Sequence, residues 1–271
     1  MVNGSKIYQQ NRALGYVSNH VPATLRYLFG RKENLVTTCV GKSFQTYGTN
    51  HFRLLAVSGL HSEDINCLAS DRFLIYSGSG KNIYGWRAGT EIKHKYIGHE
   101  GNVLLLVPFG KHLISVDDNS KLIVWDKRSE TVHLELPFEK NDFKISAILH
   151  PNTYINKVVI GSEQGGLQLW NIRTGRMIHE FNGFEKRINV IEQAPVVDIA
   201  AIGLSDGKII LLNILTDVVL MEFKQEWGPV TGIAFRTDGK PIMATSCTNG
   251  QIAFWDLEEK KVSFVILNLR I

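Results

Sequence analysis

Only three cysteines occur among the 271 residues, Cys39, Cys67 and Cys247, and no two of them form a C-x-x-C pair. So odd and scattered a set argues against a disulfide framework and offers no zinc-ligand spacing; a reducing compartment is expected. Long apolar runs are missing as well. No stretch reaches the roughly 18 residues that a membrane-spanning helix needs, and Met1 to Gln10 lacks the apolar core of a signal peptide, so a soluble intracellular protein is expected. Sustained 3.6-residue apolar periodicity over a dozen residues is absent, which removes helical folds. Catalytic signatures are absent too: there is no G-x-S-x-G, no H-E-x-x-H and no legible Ser–His–Asp grouping.

What is present is enough apolar material for a large core, 44% of the residues. The formal net charge of +4 is unevenly spread. Residues 1–53 carry seven cations (Lys6, Arg12, Arg26, Arg31, Lys32, Lys42 and Arg53) against Glu33 alone, a local +6. Such asymmetry fits contact with nucleic acid or an acidic partner, with Arg26, Arg31 and Lys32 as the candidate contacts. A merely solvated basic surface is the competing reading, because no aromatic-rich basic motif is evident beside these charges.

The dominant signal is internal repetition. KLIVWDKR (121–128), GLQLWNIR (166–173), KIILLNIL (208–215) and QIAFWDLE (251–258) each end an apolar stretch in Trp or Leu followed by Asp or Asn. Their markers, Trp125, Trp170, Leu212 and Trp255, are spaced by 45, 42 and 43 residues, and Trp86 and Tyr47 extend the series backwards at intervals of 39. That is the period of a four-stranded propeller blade. Turn sequences precede the marker strands: DDNSK (117–121), EQGG (163–166), SDGK (205–208) and TNGQ (248–251). Their Gly, Asn and Asp residues tolerate the positive φ of tight hairpins.

The expected fold is therefore an all-β WD-repeat β-propeller occupying residues 12–267. About six blades are readable, near 23–59, 64–98, 102–138, 143–183, 188–225 and 229–267. Residues 1–11 are expected to be a flexible N-terminus and 268–271 a divergent tail. ALGYVS (13–18) reads as a strand closing a final blade, which implies an incomplete seven-bladed ring or part of a tandem propeller. An immunoglobulin-like sandwich offers short strands but no marker recurring at this interval.

Most tempting chemistry has a structural alternative. His99 precedes the third blade at the interval that lets it join Ser115 and Trp125 in a hydrogen-bonded brace, which competes with a metal or acid–base role. His150, before Pro151, reads as a loop residue. SGSGK (77–81) lacks the G-x-x-x-x-G-K-[ST] spacing and is followed by Asn82 and a hairpin rather than a helix, so it reads as a blade turn. Asp117 and Asp118 are adjacent and need not share a face. No catalytic, cofactor-binding or metal-ligating residues are assigned, and no cofactor is expected.

More specific stretches are LVTTCVGKSFQTY (35–47), FKISAILHP (143–151), GSEQGGLQLWN (161–171), QAPVVDIAAIGL (193–204) and FRTDGKPIMA (235–244). They resemble the nucleolar WD-repeat proteins of the small-subunit processome associated with U3 small nucleolar RNA, over most of residues 12–261. The resemblance implies the N-terminal propeller portion of a non-catalytic assembly scaffold in the nucleus and nucleolus, supporting small-subunit ribosomal RNA processing. It implies other processome proteins as partners, with contact to small nucleolar or pre-ribosomal RNA open, and neither membrane nor small-molecule substrate. An adaptor for another complex, such as a ubiquitin ligase or a trafficking assembly, stays open because the fold alone serves many functions. A propeller hydrolase is a more distant third.

Overall fold

The computed structural model describes residues 17–266. The chain divides into two compact units, residues 1–133 and 134–271. Among the described residues there are 24 strands in six four-stranded antiparallel sheets, each a β-propeller blade, three to each unit. The first sheet holds β1 (Thr24–Leu28), β2 (Glu33–Val40), β3 (Ser43–Gly48) and β4 (Arg53–Val57). The second holds β5 (Ile65–Ser70), β6 (Leu74–Ser79), β7 (Asn82–Arg87) and β8 (Glu91–Ile97), and the third β9 (Val103–Phe109), β10 (His112–Asp117), β11 (Lys121–Asp126) and β12 (Val132–Pro137). The unit division falls within β12.

The second unit continues with β13 (Ile145–Leu149), β14 (Lys157–Ser162), β15 (Leu167–Asn171) and β16 (Arg176–Glu180). Next come β17 (Ile188–Gln193), β18 (Ile199–Leu204), β19 (Lys208–Asn213) and β20 (Val218–Lys224), then β21 (Val230–Phe235), β22 (Ile242–Cys247), β23 (Ile252–Asp256) and β24 (Lys261–Ile266). Each strand pairs with its neighbours in sequence, as successive hairpins must.

Turn chemistry explains the hairpins between second and third strands. Gly165, Gly207 and Gly250 sit there with φ of 89°, 86° and 81°. In the third blade Ser120 takes the positive φ instead, at 62°, while the Asp117 carboxylate accepts the amides of Asn119 and Lys121 and holds the turn. The register slips by one residue immediately before the marker in five blades, at Thr46/Tyr47, Gly85/Trp86, Leu169/Trp170, Leu211/Leu212 and Phe254/Trp255. Such bulges increase the local twist of the outer hairpin.

Second strands are apolar on both faces because blades cover both. Leu113, Ile114 and Val116 of β10 are all buried. In the first unit, Cys67, Tyr76, Val103, Leu113 and Trp125 share one cluster between the second and third blades. In the second unit, Ile202, Leu212 and Ile188 pack with Val159 and Leu167, and Ile209 and Leu211 pack with Met243 and Trp255. Each fully buried Leu or Ile contributes about 1.5–3 kcal/mol. Residues 1–11 and 268–271 lie outside the described residues, as do Ala13–Tyr16 of the expected closing strand. Its described end, Val17, bonds the first blade: its amide donates to the Tyr47 hydroxyl at 3.3 Å and its carbonyl accepts from the Thr38 hydroxyl.

Candidate interaction site and its internal support

The repeat markers occupy one position in each blade, on the third strand opposite the second: Val36–Tyr47, Ile75–Trp86, Leu113–Trp125, Val158–Trp170, Ala200–Leu212 and Met243–Trp255. Trp170 is half-buried and the other markers are buried. Trp125 Nε1 donates to Ser115 Oγ at 2.8 Å, and Ser115 Oγ lies 2.6 Å from His99 Nε2. His99 Nδ1 lies 3.0 Å from Asp117 Oδ2. An aspartate only accepts, so Nδ1 carries the proton, and in the neutral imidazole the serine hydroxyl donates to Nε2. The result is a directional chain, Trp125 to Ser115 to His99 to Asp117, in which each bond polarises the next.

The same device recurs where the sequence reading assigned none. Trp86 Nε1 donates to Ser77 Oγ at 2.8 Å, which lies 2.8 Å from His61 Nε2; His61 Nδ1 then meets the Lys42 carbonyl at 2.9 Å. Burial holds the His61 pKa below its ordinary value despite that carbonyl. In the sixth blade Trp255 Nε1 donates to Thr245 Oγ1 at 2.9 Å, and Thr245 donates to Gln225 Oε1 at 3.0 Å. The controlling residue is the one two places beyond the marker's partner. It is Ser77, Ser115 or Thr245 in these blades but Ile160 and Ile202 in the fourth and fifth. Trp170 there donates to Gln168 instead, at 2.9 Å. The sixteen-residue His–Ser spacing shared by His61–Ser77 and His99–Ser115 is the signal that reveals the second brace.

The candidate basic contacts separate into two kinds. Arg31 and Lys32 are exposed in the turn between β1 and β2. Arg26 is half-buried, and its guanidinium donates to the Phe73 carbonyl of the second blade at 3.2 Å. Desolvation lowers its pKa, with nearby Asp71 opposing. Arg26 therefore ties two blades together, while Arg31 and Lys32 face solvent. The apparent lack of aromatic accompaniment is corrected by the fold, because Phe29 of that turn and Phe73 of the turn between β5 and β6 are both exposed and flank Arg72. Among the described residues no group of three or more His, Cys, Asp or Glu side chains is placed to hold a metal ion.

Comparison with known proteins gives a family match over residues 36–269, to the WDR36/Utp21 first beta-propeller. The human protein named WD repeat-containing protein 36 is 45% identical over 258 residues, which cover 95% of this chain and 29% of that protein. The Schizosaccharomyces pombe protein named U3 small nucleolar RNA-associated protein 21 homolog is 37% identical over 97% of this chain and 30% of its own length. The chain thus spans less than a third of these curated relatives. Among solved structures, the computationally designed Ika8 protein superposes with a TM-score of 0.69 at 20% identity, over 86% of this chain and 71% of that one, a likeness of fold alone.

Proposed function

The chain belongs to the WDR36/Utp21 first beta-propeller family, and from that premise we propose that it is a non-catalytic assembly scaffold of the small-subunit processome. In this reading it works in the nucleolus and supports small-subunit ribosomal RNA processing by holding other processome proteins, with RNA contact at its basic N-terminal blade. The observation that carries the proposal is the match along nearly the whole chain to a relative named for its association with U3 small nucleolar RNA.

The physical features support a scaffold. Braces such as Trp125–Ser115–His99 fix the blades internally, so the exposed turns are presented on a rigid frame at little ordering cost on binding. Ser115, His99 and Asp117 are connected in the order of a catalytic triad, but all three are buried, as are Ser77 and His61, and each serine hydroxyl also accepts a tryptophan indole N–H, so the groups serve as internal braces with no open face toward a substrate.

Purification of the tagged chain from cells, followed by gradient sedimentation, tests the reading. Co-migration with a large pre-ribosomal particle and recovery of U3 RNA are expected, together with accumulation of unprocessed small-subunit precursor when the gene is depleted. Exclusively cytoplasmic location with an unchanged precursor profile would overturn it in favour of an adaptor role elsewhere.

A further inference from the structure

Two turns of the first unit bring exposed rings and cations together. The segment from Tyr27 to Lys32 supplies Tyr27, Phe29, Arg31 and Lys32, and residues 71–73 supply Arg72 and Phe73. Phe29 is 63% exposed, Phe73 71% and Tyr27 42%. The Arg72 guanidinium lies 4.8 Å from the Phe29 ring centroid and 5.5 Å from that of Phe73, and Tyr27 meets Phe29 edge to face at 4.9 Å. The Arg26 bond to the Phe73 carbonyl fixes one turn against the other.

Neighbouring carboxylates do not neutralise this surface. Asp71 is paired with Lys127 and also accepts from Tyr76 and the amides of Phe73 and Leu74, which leaves the single charge of Glu33, turned to the amide of Asn50, against Arg31, Lys32 and Arg72. The corresponding turn of the third blade carries Gly110 and Lys111, but its ring, Phe109, is half-buried and packs on His112 at 5.6 Å. Exposed rings interleaved with cations are thus particular to the first two blades of this unit.

We propose that Tyr27, Phe29, Arg72 and Phe73, flanked by Arg31 and Lys32, form a binding site for single-stranded RNA. Unpaired bases offer a π-face to each ring and to the guanidinium plane, and the backbone phosphates pair with the flanking cations. A duplex hides its base faces, so it satisfies the cations only. An acidic peptide likewise meets the charges and leaves the rings in water. Arg26 is a positioning residue here, acting through Phe73. The inference deepens the processome reading by naming a partner class, and it rests on that reading only for where the RNA is met.

The test is fluorescence anisotropy of the purified chain with a labelled uridine-rich strand of about 12 nucleotides, titrated between about 50 and 200 mM salt. Binding is expected for the single strand and to be much weaker for the matching duplex. Phe29→Ala/Phe73→Ala should weaken binding at least about tenfold while leaving the salt slope unchanged, since stacking is worth about 1–3 kcal/mol per base. Arg31→Gln/Lys32→Gln should instead reduce the slope by roughly 1.4, about 0.7 per lost phosphate contact. Phe29→Tyr/Phe73→Tyr keeps the rings and should bind like the unmodified chain, which separates stacking from misfolding. Equal affinity for the duplex, full binding by the ring-less variant, or displacement of RNA by polyglutamate at equal charge would each overturn the proposal. RNA binding without particle association would sink the processome reading and leave this site standing; the reverse result would do the opposite.

Discussion

Lys127 Nζ lies 2.7 Å from Asp71 Oδ2, joining the end of β11 in the third blade to the first turn of the second. The ammonium also donates to the Gly110 carbonyl at 3.1 Å, so a mostly buried cation is satisfied on two sides. Burial alone would raise the Asp71 pKa; the bond from Lys127 and those from the Leu74 and Phe73 amides outweigh it and hold the carboxyl below its ordinary value.

Replacing Lys127 by Met leaves that carboxylate without its cation and should cost about 2–3 kcal/mol at pH 7, somewhat under the loss for a fully buried pair. Because the folded pKa is depressed, the stabilisation is complete above the unfolded value near about 3.9 and is lost as pH falls through the folded one. Urea unfolding at pH 7 and pH 3 should therefore show a shallower acid loss for the variant. An identical loss in both proteins would refute the assignment.

A second expectation concerns the brace. Ser115→Ala strands two buried groups at once, the Trp125 indole N–H and His99 Nε2. Each such orphan costs about 1–3 kcal/mol, so a total of roughly 2–6 kcal/mol is expected by chemical denaturation. Ser115→Thr should recover most of it, since Thr245 fills this place in the sixth blade. Failure of Thr to improve on Ala would show that packing, and not the hydroxyl, supports the indole.

The contrast between Ser115 and Ile160 shows what the linear chain discloses and what it hides. Marker spacing exposes the blades, since each Trp or Leu must return to one place in a repeated hairpin. The Trp125 brace is legible because His99 directly follows Gly98. His61 performs the same task without that glycine, and Gln225 performs it with a different side chain, so pattern alone passes over both. The aromatic surface was hidden for another reason. Phe29 and Phe73 are 44 residues apart, one repeat, and only pairing of adjacent blades brings both rings to Arg72.

Mild acid should also weaken the fold through histidine. Burial lowers the pKa of His61, and burial, His133 and Lys111 lower that of His112, whose Nδ1 is buried without a hydrogen-bond partner. The His133 ring lies 5.0 Å away. Unfolded histidines take up protons near pH 6.5 while these two resist, so stability present above that value declines as pH falls from there through their lowered folded values. His112→Phe should flatten the decline measured between pH 7 and pH 5. A slope unchanged by the substitution would move the effect to other groups.

Gly207 and Gly239 share a φ of +86°, which makes them a matched pair for separating backbone strain from collision. A Cβ on Gly239 meets nothing within 4 Å, whereas one on Gly207 comes 2.2 Å from the Gln225 carbonyl and 3.1 Å from that of Gly228. Gly239→Ala should therefore show only the left-handed conformational cost, about 1–2 kcal/mol. Gly207→Ala adds a backbone collision that has no flexible side chain to absorb it, and a total of about 3–5 kcal/mol is expected. The displaced segment carries Gln225, which holds Thr245 and through it Trp255. Loss of stability in Gly207→Ala should thus come with a change in tryptophan fluorescence of the folded protein, absent in Gly239→Ala. Equal destabilisation by the two, with identical spectra, would show that the turn yields freely and that Gln225 is not held by it.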